Sequence, residues 1–108
     1  MKIAVIVTAR ASWAKLETLC EALTSRGIDL QIICCASALL ERYGRVRDVI
    51  AEKFPIAEDV YATVEGETLE TSGIETGILL SALTRSLKRL APDAVVVMAD
   101  RHEVLAAA

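Results

Sequence analysis

Four short apolar runs, separated by stretches of helical periodicity, limit what this chain can fold into more than any other feature. Residues 2–8 form a continuous Ile/Val-rich run that leads into Ala9-Arg10. A run this short and this uniformly apolar suits a strand buried on both faces. Residues 28–36 form a second run, 60–64 a shorter third and 94–98 a fourth. Between the first two, Trp13, Leu16, Cys20 and Leu23 recur at helical spacing, with Leu19 beside them and Lys15, Glu17, Glu21 and Thr24 opposite. That pattern predicts an amphipathic helix with Ser12 as its N-cap and Gly27 just past its end. Residues 38–53 read as one or two short helices, interrupted near Tyr43-Gly44 and broken at Phe54-Pro55. Residues 68–90 read as one long helix with a core stripe of Leu79, Leu83, Leu87 and Leu90. Gly73 and Gly77 weaken its first half, and Pro92 stops it.

Strands alternating with helices specify an α/β fold, a parallel sheet with right-handed crossovers. Four strands then take the order 3-2-1-4, a half-Rossmann arrangement. Residues 1–108 show no linker, repeat or low-complexity tract and read as a single domain. The final residues, Val104-Leu105-Ala106-Ala107-Ala108, start an apolar helix of about one and a half turns. The expectation is an incomplete N-terminal domain of a longer protein, or one whose fourth strand pairs with another chain.

Composition excludes several functions. With 54% hydrophobic and 25% charged side chains, the 108 residues are core-forming rather than disordered. A net charge of −3 and a pI near 5.1 argue against nucleic acid or an anionic membrane as partner. No apolar run approaches the roughly 20 residues that span a bilayer. The N-terminus has neither a signal-peptide core nor a small-residue cleavage site, so a cytoplasmic protein is expected. Cys20, Cys34 and Cys35 read as small buried hydrophobes. Neighbours on a strand face opposite ways, so Cys34 and Cys35 are poorly placed to bridge each other. One histidine and no C-x-x-C leave no zinc pattern.

In open α/β sheets, ligands bind beyond the carboxyl ends of the strands, where strand order reverses. Two polar groups of residues converge there: Thr8-Ala9-Arg10-Ala11-Ser12 after strand one and Asp100-Arg101-His102-Glu103 after strand four. Arg10, at a helix start, suits a phosphate or diphosphate; on position alone a solvated or structurally paired arginine is equally open. There is no G-x-G-x-x-G. Asp100 after an apolar strand could move a proton, or it could cap a helix in a box with Glu103. His102 is an acid/base or a structural histidine, and Lys15 reaches a phosphate or stays in solvent. Glu65, Glu67, Glu70 and Glu75 read as a solvated acidic helix start. Tyr43-Gly44 is a binding-loop turn or a helix junction, and Trp13 reads as core.

At these residues the sequence resembles the UDP-N-acetylglucosamine 2-epimerases, in particular the hydrolysing branch of sialic-acid synthesis. Val7 to Leu16 is similar to T-x-x-R-A-D-Y-x-x-L, and Ala91 to Ala106 to K-P-D-hydrophobic-G-D-R-[FY]-[ED]-x-L-A. Leu40 to Tyr43-Gly44 resembles H-L-x-x-x-Y-G-N-T, and Glu52 to Ile56 the D-x-F-x-I after it. Gly66-Glu67 to Leu90 resembles the family's long helix. The resemblance implies the first of two Rossmann-like domains in a glycosyltransferase-B architecture, with a UDP-sugar between them. It implies that Arg10 contacts UDP with Ala14 and Lys15 nearby, that Asp100 is a catalytic carboxylate and that Arg101 contacts the nucleotide. Ser12, His102 and Glu103 are further candidates. The implied reaction needs no metal or redox cofactor, and the full-length parent is expected to be a homo-oligomer.

The sequence also departs from the family pattern. Ser12-Trp13 replaces Asp-Tyr, and Ala14 stands where this branch often has a nucleotide-binding serine. Ala38 replaces a histidine, Arg45-Val46 replaces Asn-Thr, and Ala99 replaces a glycine. These changes point to another UDP-2-acetamido sugar, such as a diacetamido sugar of the bacillosamine type, or to an inactive relative. A glycosyltransferase of the same architecture and a nucleotide-sugar-binding module without catalysis are the alternatives.

Overall fold

A computed structural model describes residues 1–41, 44–63 and 68–98. The elements run β1 (Lys2–Val7), α1 (Arg10–Ser25), β2 (Asp29–Cys35), a 3-10 turn (Ala36–Leu39), α2 (Val46–Ala51), β3 (Ile56–Val60), α3 (Leu69–Leu90) and β4 (Ala94–Val97). The four strands form one parallel sheet in the order β3-β2-β1-β4, as the alternation predicts.

The apolar runs divide by parity. Val5 and Val7 of β1, with Ile32 and Cys34 of β2, pack against Trp13, Leu16 and Cys20 of α1 and Val46 and Ile50 of α2. Ala4 and Ile6, with Ile33 and Cys35, pack on the other face against Leu79 and Leu83 of α3. Helices therefore cover both faces, which is why β1 and β2 are apolar at consecutive positions rather than alternate ones. Trp13 meets Phe54 edge-on, with ring centroids 5.8 Å apart and planes at 78°. The predicted stripe of α3 holds, with Leu87 and Leu90 at the margin of the core.

Three differences from the sequence reading have a clear physical reason. α1 begins at Arg10 with Ala9 as its N-cap residue and no side-chain cap. Ser12 is thus inside the first turn. It is buried, and its hydroxyl donates back to the Ala9 carbonyl at 2.8 Å, so it does not cap the helix. The third strand is Ile56–Val60, not 60–64. Glu58 and Asp59 disguise it, because charged residues on an edge strand look like a loop until their partners are known. Asp59 takes Arg47 Nε at 3.1–3.2 Å, and Glu58 pairs with Arg89 of α3. α3 begins at Leu69 behind Thr68, which forms a reciprocal capping box with Thr71.

Gly27 closes α1 as expected. Its φ is +75°, its amide donates to Thr24 and the amide of Ile28 donates to Leu23, the two bonds of a Schellman close. Cys34 and Cys35 face opposite cores. Burial pushes the Cys34 thiol up to about 12, with Asp59 adding to the shift and Arg47 opposing it. Burial, then Glu17, raises Cys20 to about 11.

Gly27→Ala places a side chain in a left-handed position with open space around it, so the cost is backbone strain alone. Denaturant unfolding of the intact protein should show a loss of about 1 kcal/mol; an unchanged midpoint would contradict the strain argument. Both thiols titrate above their ordinary 9.0 when folded. The stability they contribute is therefore complete below that value and is lost as pH rises through 11 to 12. In native protein at about pH 8, iodoacetamide should leave Cys20 and Cys34 unmodified, as mass spectrometry would show. Alkylation as fast as in denaturant would refute their burial.

Candidate functional site at the carboxyl end of the sheet

β1 lies inside the sheet, with β2 on one side and β4 on the other. The chain runs outward from β1 to β3 and returns to β4, so strand order reverses between β1 and β4. The registers Val7↔Cys34 and Ile6↔Val97 bring the ends of three strands side by side. The β1 exit is fixed by its neighbour: the Thr8 carbonyl accepts the Ala38 amide at 3.2 Å and the Ser37 hydroxyl at 2.8 Å.

Immediately after this exit, α1 presents an uncapped N-terminus. Its first amide bond runs from Trp13 to the Ala9 carbonyl, so the amides of Arg10, Ala11 and Ser12 have no intrahelical acceptor. No acidic side chain lies in the first turn. Arg10, the first helical residue, is exposed and forms no ion pair among the described residues. Other basic side chains do have partners: Arg45 meets Asp48 at 3.3 Å, Arg47 meets Asp59, and Lys53 meets Glu17 and Glu21. The hydrogen bonds that Lys53 donates to Glu17 and then to Glu21 hold its ammonium above its ordinary value, and the one Arg47 donates to Asp59 does the same for Arg47.

Ala14 lies one turn beyond Arg10 on the same helical face and is exposed, with no polar group to offer. Lys15 is exposed on the adjacent face. The structure therefore groups Arg10 with Ala14 and sets Lys15 aside. Asp100, Arg101, His102, Glu103 and Tyr43 lie outside the described residues.

Three features go beyond the sequence reading of these residues. The Thr8 hydroxyl is buried and has no hydrogen-bond partner among the described residues. Gly44, in the turn after β2, sits directly against the Arg10 guanidinium. A cleft of about 330 Å³ opens beyond β2 and β3, where Ala36 and Leu39 face Tyr61, Ala62 and Ile78. A glycine flanked by polar residues gives no sign of a contact so distant in sequence. No group of three or more His, Cys, Asp or Glu among the described residues is placed to hold a metal ion. No described helix is long and apolar enough to cross a membrane.

Known proteins match this chain in sequence and in fold. Residues 21–108 match the family model described as UDP-N-acetylglucosamine 2-epimerase. A Campylobacter jejuni protein, GDP/UDP-N,N'-diacetylbacillosamine 2-epimerase (hydrolyzing), is 28% identical over 108 residues, covering 99% of this chain and 28% of that protein. The crystal structure of UDP-GlcNAc 2-epimerase from Neisseria meningitidis, bound to UDP-GlcNAc, superposes with a TM-score of 0.79 at 19% identity. That match covers 99% of this chain and 28% of the other, so the chain spans about 28% of the length of each relative. With a family model matched over most of its residues and the half-Rossmann fold in place, the chain belongs to the UDP-N-acetylglucosamine 2-epimerase family.

Proposed function

We propose that this chain forms the N-terminal, nucleotide-binding half-domain of a hydrolysing UDP-sugar 2-epimerase with the two-domain glycosyltransferase-B architecture, acting in the cytoplasm. The observation that carries the reading is Arg10. It is a cation with no ion-pair partner among the described residues, at the positive end of a helix without a side-chain cap, at the point where strand order reverses. Both the dipole and the three amides without an intrahelical acceptor repel a cation and attract an anion, so the arrangement is favourable once an anion binds. A diphosphate fits the guanidinium fork and the amide donors together.

The substrate class in this reading is a UDP-2-acetamido sugar. UDP-N-acetylglucosamine is the first candidate, and the name of the Campylobacter relative supports a diacetamido sugar as the second. The reaction starts with loss of the proton at C2. The C2–H electron pair becomes the C1=C2 bond, and the C1–O bond breaks towards the diphosphate. The intermediate is 2-acetamidoglucal. Water then adds its oxygen at C1 and a proton to the opposite face of C2, so UDP-N-acetylglucosamine and water become N-acetylmannosamine and UDP. Arg10 takes up the charge that develops on the leaving diphosphate. Asp100 serves as the proton-transferring carboxylate, and Arg101 as a second nucleotide contact. Ala14 adds no hydrogen bond to the nucleotide, which leaves more of the binding to Arg10.

The test is proton NMR of the full-length protein with UDP-N-acetylglucosamine in D2O. Loss of the C2 proton signal, with release of UDP and N-acetylmannosamine, is expected. UDP retained on the sugar would replace hydrolysis with simple epimerisation. No change with either the mono- or the diacetamido sugar would overturn the reading. Arg10→Ala should weaken UDP about tenfold or more, the worth of a charge-assisted hydrogen bond. Asp100→Asn should keep UDP binding and lose turnover.

A further inference from the structure

Gly44 and Gly27 solve one backbone problem in two different surroundings. Gly27 donates to Thr24 at 3.0 Å and Ile28 to Leu23 at 3.2 Å; Gly44 donates to Glu41 at 2.9 Å and Arg45 to Leu40 at 2.9 Å. Both glycines have positive φ, +75° and +82°. A side chain at Gly27 would meet nothing within 4 Å. At Gly44 a Cβ would lie 2.9 Å from Nη2, 3.4 Å from Nε and 3.5 Å from Cζ of Arg10. Its three nearest atoms all belong to one guanidinium, which therefore rests on the bare glycine backbone.

No ion pair among the described residues holds Arg10, and its guanidinium packs against Gly44 in this turn. The two backbone hydrogen bonds that Gly44 and Arg45 donate to Glu41 and Leu40 do not involve Arg10. A contact at 2.9 Å with the end of a flexible side chain is relieved by moving that side chain, not by unfolding the turn.

We propose that Gly44 is a positioning residue for the diphosphate site: the side chain it lacks leaves the surface on which the Arg10 guanidinium rests, so the turn after β2 sets where the cation after β1 meets its anion. This inference rests on the reading of Arg10 given above. A Cβ at Gly44 leaves the guanidinium in the protein but shifts it off the anion, and part of its preorganisation is lost.

The experiment is calorimetric titration of UDP into the full-length protein. The variants are Arg10→Ala, Gly44→Ala, the double variant and Gly27→Ala. Gly27→Ala carries the same backbone strain without touching Arg10. Gly44→Ala should raise the UDP Kd about tenfold, and Gly27→Ala less than about twofold, while both lower the melting temperature. In the Arg10→Ala background, Gly44→Ala should add less than about twofold, because the two positions act as one unit. If Gly44→Ala folds poorly, Gly44→Asn replaces it, since asparagine tolerates the left-handed backbone but still brings a Cβ. Unchanged UDP affinity in both Gly44 variants would overturn the proposal. So would an equal loss in the Arg10→Ala background, or an equal loss in Gly27→Ala. If Arg10→Ala itself binds UDP normally, the diphosphate reading of Arg10 falls and takes this inference with it. A loss in Arg10→Ala with none at Gly44 defeats the inference alone.

Discussion

The rest of the molecule depends on β1 being enclosed on every side. It is hydrogen-bonded along both edges, to β2 and β4, and Ala4, Val5, Ile6 and Val7 are all buried. Two different cores lie on its two faces, so a slip of one residue would exchange the side chains between them. The register is therefore strongly specified, and the strand leaves the sheet at a defined point. The Thr8 carbonyl then takes both the Ala38 amide and the Ser37 hydroxyl. Those bonds fasten the turn after β2 to the turn after β1. The first turn of α1 and the loop bearing Gly44 are neighbours because of that fastening.

Charge placement separates α1 from the other helices. α3 has Glu70 at its start, Lys88 and Arg89 at its end, and a reciprocal cap at Thr68. α2 has Asp48 in its first turn. Each such arrangement contributes about 0.3–1 kcal/mol through the helix dipole. α1 forgoes that contribution, with Arg10 at its positive end and no acidic residue in its first turn. Most of its stability comes from Trp13, Leu16 and Cys20 in the core, where one fully buried large side chain contributes about 1.5–3 kcal/mol. The core can therefore hold α1 in place while its first turn keeps a charge distribution suited to an anion rather than to the helix.

Much of this fold was legible in the sequence, for a physical reason. A strand buried on both faces must be apolar at consecutive positions, and a helix on one face must repeat every three or four, so the patterns of β1, α1, β2 and α3 each had one reading. The misplaced third strand has a physical cause as well, since its partners are distant in sequence. Glu58 and Asp59 hid β3 because Arg89 and Arg47, which neutralise them, lie on other elements. Gln31 interrupts an apolar strand and is buried, which makes sense only because its side-chain amide donates to the Leu90 carbonyl at 3.1 Å and closes α3. Ser12 looked like a cap, but the apolar stripe that begins at Trp13 does not show how far the helix extends before it.

The same reasoning separates the two glycines. Gly27 could be read from the sequence, because stopping a helix is a local task and the amphipathic pattern ends where the glycine stands. Gly44 makes the same local close, and reading Tyr43-Gly44 as a binding-loop turn or a helix junction does not reach its contact with Arg10. That contact exists only because Thr8 ties two strand exits together and brings Arg10 over the turn. A residue type chosen for backbone freedom thus also sets the position of a cation. Local sequence reports the first of these constraints, and the tertiary pairing of β1 with β2 imposes the second.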